Sequence, residues 1–531
     1  MSIKSFIEKL LSKNKNYKRK KNIQEGMKDL PIGIQDFKDI ITGDFVYVDK
    51  TKPIYELVKP DKGVYFLSRP RRFGKSLTLS TLEYLFKGEK ELFEGTYIYD
   101  KHEFEKYPVI KLSMSLVESQ NTKRLRDTLI QQLEWVAEDY GLKINKDSPK
   151  MYFGELIRKL SREKNIAILI DEYDKPLLDN INNRKKTNKI RRELRSFYSI
   201  LKELGKHIKF LFVTGISKFS KVSIFSELNQ MDDLTLDRNF SSILGYTKED
   251  IAKSFPKRIK KIRERLGLGK KEFWDKLQKW YNGYSWNGED FVYNPFSILN
   301  LFKKEKFENY WFESGTPTFI TDYMDRLNIR TTELQTEVDS DFFSAYKIEE
   351  APAQSFLFQA GYLTIKEATE NSYVIDFPNF EVQTSFNKFF LEAKYELTLL
   401  KSKPIRDQLL ESYNNNNIDD MIEEFKQAYS AIPHQKHVAK EGFYDSIAYT
   451  LLLSAGVDAR AEESTSRGDS DIVLEKDDRV FIFEFKNDKP EVAIKQIKEK
   501  GYGEKYDKKK FFVGIELDFD KRNIVDYKVE S

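Results

Sequence analysis

A chain of 531 residues is too long for one hydrophobic core and predicts three or four domains of about 150 residues each. Its 40% hydrophobic and 14% aromatic content excludes wholesale disorder, and its many charges nearly cancel to +5, so total charge neither requires nor excludes a nucleic-acid partner. Cysteine is absent, which excludes disulfides, cysteine nucleophiles and thiolate metal sites and fits a cytoplasmic protein.

Residues 1–27 open with a short amphipathic stretch followed by a basic run, without the continuous apolar segment of a secretory signal. They predict a solvated basic tail, with an arm for nucleic acid or an anionic surface as the alternative. No apolar run approaches the roughly 18 residues that span a bilayer, so no membrane partner is expected.

From residue 28 to 245, strand and helix patterns alternate. "VYFLS", "PVIKLSMS", "IAILIDEYD" and "IKFLFVTG" are short, apolar and rich in β-branched or aromatic residues, with helical patterns between them. That alternation predicts an α/β domain with a parallel sheet covered on both faces. "GVYFLSRPRRFGKSLTLSTLEYLF" reads strand, loop, helix and contains Gly74-Lys75-Ser76. A phosphate-binding P-loop, G-x-x-x-x-G-K-[ST], uses backbone amides and a lysine for phosphates and a hydroxyl for Mg²⁺. Here the first glycine is replaced by Arg69, and Pro70, Arg71 and Arg72 follow. Neither Arg69 nor Pro70 can copy a glycine backbone. Gly74, Lys75 and Ser76 keep the helix N-terminus, the charge and the hydroxyl, and Arg69, Arg71 or Arg72 is expected to replace part of the amide cradle with guanidinium contacts to phosphate.

The companion motif is "IAILIDEYD", which puts Asp171 and Glu172 at the C-terminal end of a buried strand, the edge where parallel sheets bind ligands. Asp171 is the candidate Mg²⁺ ligand with Ser76, and Glu172 the group that polarises the attacking water. Thr214 or Ser217, after "FLFVTG", stands where a polar sensor would meet the γ-phosphate, or is a capping hydroxyl. Arg238 is an arginine-finger candidate among many arginines.

Residues 246–430 read as mostly helical, interrupted by "YNGYSWNGEDFVYNP". Within them "FLFQAGYLTIKEATENSYVIDFPN" suggests a helix end and a small hairpin, as in a winged-helix unit. Residues 431–531 run helix, strands, helix, strand. In "DSDIVLEKDDRVFIFEFKND" a turn at Asp477-Asp478 places Glu475 opposite Val480 and Asp471 opposite Glu484, with Lys486 two residues on along the same face. Opposed carboxylates repel unless a cation lies between them; Mg²⁺ suits the pair, and Lys486 can orient water or neutralise developing charge. Asp471, Glu484 and Lys486 thus match the Asp…Glu-x-Lys core of PD-(D/E)XK nucleases. Glu441, at the start of the preceding helix, is a further carboxylate or a solvated helix-start residue. Gln496, on the following helix, contacts substrate or metal-bound water or is simply exposed.

The ordered motifs "LPIGIQDFKDI", "YVDKT", "RPRRFGKSLTLS", "DEYDKP", "TGISKFSKVSIFSELN", "YNGY", "VYNPFSILN", "FQAGYLTIK", "TSRGDSDIVLE", "FIFEFK" and "QIKEKGYGEKY" resemble the predicted AAA-ATPase-like family whose members carry a C-terminal PD-(D/E)XK nuclease domain. The resemblance runs from Lys28 to the C-terminus. It implies an ATPase core using Lys75, Ser76, Asp171 and Glu172, and a nuclease core using Asp471, Glu484 and Lys486 with Glu441 and Gln496 as auxiliaries. One departure stands out: Arg467-Gly468-Asp469-Ser470-Asp471 carries an acid where the family pattern often has a second arginine. The expected cofactors are ATP and Mg²⁺, the expected partner nucleic acid, with DNA favoured, and a homo-oligomer is a candidate assembly. The expected function is ATP-regulated, Mg²⁺-dependent cleavage of phosphodiester bonds, in defence against mobile DNA or in DNA processing. The alternatives are a nucleotide switch with the nuclease as effector, and an ATP-dependent binding protein with a silent nuclease fold.

Overall fold

The run Ile166–Asp171 is buried at every position, as a strand covered on both faces must be. In the computed structural model, which describes residues 26–218, 225, 231–312, 330–343, 352–465 and 468–531, it is the third strand of a five-stranded sheet. Residues 1–25 of the expected tail, and Arg467, lie outside the described residues. The chain divides into two compact units, Met1–Trp311 with Val338–Tyr373, and Phe312–Glu337 with Val374–Ser531.

The first unit is built on β1 (Gly63–Ser68), α1 (Lys75–Phe86), β2 (Val109–Ser113), α2 (Thr122–Asp139), α3 (Pro149–Leu160), β3 (Ile166–Asp171), α4 (Arg184–Glu203), β4 (Ile208–Gly215) and the short β5 (Asp232–Asp233). All strand pairs are parallel, in the order β2-β3-β4-β1-β5. β4 is inserted between β1 and β3, so its C-terminal end stands between the Gly-Lys-Ser loop and Asp171. Leu67 pairs with Thr214, and Ile170 with Val213. One face of the sheet packs Ile168, Ile170 and Val213 against Leu156, Leu194 and Phe197 of the covering helices. Beyond the sheet, helices Lys248–Ser254, Pro256–Leu266, Lys270–Tyr281 and Pro295–Lys304 share a second core that includes Phe255, Phe273, Leu277 and Phe302. The segment read as helix end and hairpin forms a helix, Ala353–Ala360, and strands Thr364–Ala368 and Tyr373–Asp376, with a turn in which the Thr369 N–H donates to the Ser372 carbonyl.

The second unit holds helices Phe380–Tyr395, Leu399–Asn414 and Ile418–Ala431, then α5 (Glu441–Ala455), β6 (Ala459–Thr465), β7 (Gly468–Lys476), β8 (Arg479–Lys486), α6 (Pro490–Glu499), β9 (Lys509–Asp518) and β10 (Asn523–Glu530). The sheet order is β10-β9-β8-β7-β6, antiparallel except for the parallel pair β8–β9, which α6 bridges as a crossover. The β7–β8 hairpin turns at Asp477-Asp478 in the predicted register: Glu475 pairs with Val480 and Lys476 with Arg479. Asp477 takes φ 48°, a left-handed value that Asp tolerates better than most residues. α6 lies hard against β9 at Gly514, where an added Cβ would come 2.2 Å from the Pro490 carbonyl oxygen. Only glycine permits that approach, which sets how closely α6 lies over the sheet.

Candidate nucleotide and nuclease sites

The altered loop is held from its own side chains outward. Gly74 caps α1 with φ 97°, and the Lys75 ammonium donates to the carbonyls of Arg69 and Pro70 at 2.8 and 2.9 Å. Burial pulls Lys75 below its ordinary pKa, while Asp171, Glu172 and Asp174 pull the other way. Ser76 Oγ donates to Asp171 at 2.6 Å, and Thr214 Oγ donates to the other Asp171 oxygen at 2.7 Å. The Ser76 hydroxyl, the lysine and the Asp171 carboxylate are therefore gathered at one sheet edge. Glu172, next in the chain, has φ 51° and accepts a hydrogen bond from Ser115. A non-glycine residue in that region stores strain of order 1 kcal/mol or more.

Arg69 departs from its expected role. It is fully buried, donating to the carbonyls of Ser68, Thr235 and Phe240, and its guanidinium stacks 3.9 Å from the Trp286 ring centroid. It cannot reach a phosphate without leaving all of these partners, so it anchors the loop instead. Three further aromatic contacts hold the same loop: Phe73 meets Tyr284 and Trp286 edge-on, and Arg72, at φ 67°, lies over Phe296. The Trp311 indole donates to the Arg71 carbonyl at 3.0 Å. The fixed backbone that a glycine-rich turn supplies elsewhere comes here from packing against the "YNGYSWNG" segment. Trp286→Ala should therefore destabilise the first unit by about 3 kcal/mol, at the lower end for a buried tryptophan. It should also weaken ATP binding although Trp286 need touch no phosphate; denaturant unfolding and nucleotide titration check this, and unchanged affinity would refute the anchoring role.

Ser217 gives both its N–H and its hydroxyl to Asp174, at 2.7 and 2.8 Å, so it pins the end of β4. Asp174 is fully buried and also accepts from the Ile216 N–H. Sequence reasoning passed over it, though it stands in the same "DEYD" run. Arg238 is exposed and pairs with Glu289 at 3.1 Å.

In the second unit the register places Asp471 and Glu484 one step beyond the pair Ile472–Phe483. Asp471 accepts from the Phe485 N–H at 2.7 Å. Glu484 is 1% exposed, and one of its oxygens, Oε2, is buried with no hydrogen-bond partner. Its other oxygen faces the Lys486 ammonium at 3.2 Å and accepts from the Gln496 amide. Glu441 at the start of α5 takes the Asn487 N–H at 2.8 Å and the Lys486 ammonium at 3.3 Å. Glu441, Lys486, Glu484 and Gln496 are thus joined in one network, and Asp471 adjoins it through the backbone of Phe485.

Its electrostatics are those of a site short of positive charge. Burial, then the charge of Asp471, pushes Glu484 up to about 8. Burial lowers the Lys486 pKa, but Glu484, Glu441 and Asp471 outweigh it and hold the ammonium above its usual range. Asp445, which the sequence reading missed, is pushed up to about 7 by burial and then by Asp471. Its signal was its spacing, one helical turn after Glu441. Among the described residues no three His, Asp or Glu side chains converge into a ready-made metal cage. Mg²⁺ needs no such cage, since it binds through one or two carboxylates and keeps several waters. The partnerless oxygen of Glu484 beside a second carboxylate fits such an ion.

A parallel sheet with a Gly-Lys-Ser loop, and a second sheet presenting Asp, Glu and Lys on adjacent strands, define a P-loop protein fused to a nuclease-like fold. Comparison agrees at both ends: residues 31–225 match the family described as "Predicted AAA-ATPase", and residues 439–527 match the PD-(D/E)XK nuclease superfamily. The chain belongs to the AAA-ATPase-like family with a C-terminal PD-(D/E)XK domain. It is 36% identical over 524 residues to "Uncharacterized protein in vnfD 5'region" of Azotobacter chroococcum mcd 1, covering 95% of this chain and 99% of that one. Among the described residues no helix is long and apolar enough to cross a membrane.

Proposed function

We propose that the protein is an ATP-regulated, Mg²⁺-dependent nuclease that cuts phosphodiester bonds in DNA. The observation that carries the reading is the half-buried Asp471 and the fully buried Glu484, each next to the Ile472–Phe483 pair, with Lys486 beside Glu484 and one Glu484 oxygen unsatisfied. In this reading residues 28–245 are the ATPase core, 246–430 a largely helical region and 431–531 the nuclease.

At the first site Lys75 exchanges the loop carbonyls for the β- and γ-phosphates, Ser76 and Asp171 hold Mg²⁺, and Glu172 orients water. Thr214, already bonded to Asp171, keeps that carboxylate in place. Arg71 and Arg72 remain the arginines for phosphate, since Arg69 is engaged in the core. At the second site Asp471 and Glu484 hold the cation, which when bound supplies an activated water and neutralises charge on the phosphate. Lys486 orients the water, and Gln496 fixes the Glu484 carboxylate.

The test incubates the full chain with Mg²⁺, with and without ATP, on single- and double-stranded DNA and RNA. The expected result is Mg²⁺-dependent cleavage of DNA whose rate changes with ATP. Cleavage of RNA alone would overturn the substrate assignment, and no cleavage with Mg²⁺ or Mn²⁺ would overturn the enzyme.

A further inference from the structure

Glu441 and Asp445 lie four residues apart on α5, so their side chains share one face of the helix. Glu441 meets β8 at Lys486 and Asn487. Asp445, one turn further in, is 6% exposed, and its Oδ1 is buried without a hydrogen-bond partner. Among the charged groups that act on it Asp471 comes foremost, and the opposing cation is Arg330. Arg330 is itself paired with Glu333 at 2.8 Å. It lies close to the start of α5: its Nη1 would stand 2.9 Å from a Cβ added at Gly442.

Two buried carboxylate oxygens, Asp445 Oδ1 and Glu484 Oε2, therefore lack any donor, and Asp471 bears on both residues. Burying a carboxylate oxygen unpaired costs stability, and doing so twice around a third carboxylate compounds the cost by repulsion. A protein gains from that arrangement when a cation completes it. The three acids do not converge tightly enough for all to touch one ion. We propose that Asp445 is a further acidic residue of the divalent-cation site, holding through Oδ1 the water shell of the ion that Asp471 and Glu484 bind. Mg²⁺ keeps several of its waters, and carboxylates that bind such waters typically change metal affinity 10- to 100-fold. Asp445 is a positioning residue here, acting on water rather than on the phosphodiester. The inference rests on the cation site proposed above.

The test uses the nucleotide-free full chain and needs no cleavage assay. Mn²⁺ is titrated calorimetrically into the parent, Asp445→Asn and Asp471→Asn, and melting is followed with and without the ion. Asp445→Asn should bind Mn²⁺ about 10-fold more weakly, melt higher than the parent without metal, and gain less from its addition. Asp445→Ser gives the same comparison should the Asn variant fail to fold. Parental Mn²⁺ affinity in the Asp445 variant, with binding lost in Asp471→Asn, would overturn the role of Asp445 alone and leave it a structural partner of Arg330. Parental affinity in Asp471→Asn would instead remove the cation site itself, and this inference with it.

Discussion

Asp471→Asn and Glu484→Gln proteins should lose nucleic-acid cleavage by three orders of magnitude or more, about 4 kcal/mol of barrier, while basal ATP hydrolysis continues at the parental rate. Each variant takes away a carboxylate from the proposed cation site, and the two candidate sites lie in different compact units. The fold should survive and gain stability without metal, because Glu484 is held against its own preference. Burial and the charge of Asp471 raise it to about 8, whereas an unfolded chain ionises it near 4.3. Between those values the folded state keeps a proton that the unfolded state releases, so stability falls as pH rises. Metal-free parent should therefore melt progressively lower from about pH 4.5 to 8, with Mg²⁺ reversing part of the loss at the upper end. In Glu484→Gln the slope should flatten, and at pH 8 the variant should melt several degrees higher than the parent in EDTA. Lys486→Ala should keep Mn²⁺ binding and still lose most cleavage, since it takes away a charge but no ligand. Variants that cut like the parent would make the hairpin a structural element.

The hairpin was legible because strand pairing is local. Two apolar runs joined by Asp477-Asp478 admit few registers, and a period of two then fixes which side chains meet. Glu441 and Gln496 were harder, since their placement depends on helix docking, and for α6 that docking turns on the bare Gly514. Asp445 went unread because an Asp inside an apolar helix looks like any other polar interruption until its burial is known. The parallel sheet was legible for the same local reason as the hairpin, from strands hydrophobic on both faces. The loop arginines were not. A sequence shows three cations beside a phosphate motif, but which one turns inward depends on Trp286, more than 200 residues away, and on carbonyls at Thr235 and Phe240. Solvation alone would put all three arginines outside; stacking and three carbonyl acceptors draw Arg69 in.

Lys75→Ala should reduce ATP hydrolysis to below about one per cent of the parent, the range expected when a preorganised charge on the transferring phosphoryl group is removed. The lysine is 6% exposed and already sits inside the loop, held by the carbonyls of Arg69 and Pro70. Nucleotide need only replace those two acceptors with phosphate oxygens, so little reorganisation stands between the free and bound forms. Removing the ammonium also strips both carbonyls of a donor, and part of the loss could then reflect a disturbed loop. Glu172→Gln separates the two causes. It leaves Lys75, Ser76 and Asp171 untouched, so ATP should bind as in the parent, yet turnover should stop because the amide cannot accept a proton from water. Glu172 also occupies a strained backbone position at φ 51°, which a protein tolerates where a side chain must point one way. Nucleotide binding and phosphate release, measured on both variants, give distinct outcomes: no turnover in either, with binding kept in Glu172→Gln and weakened in Lys75→Ala. Hydrolysis at the parental rate in Lys75→Ala would mean that the arginine-rich loop binds no nucleotide and that its aromatic anchoring serves the fold alone.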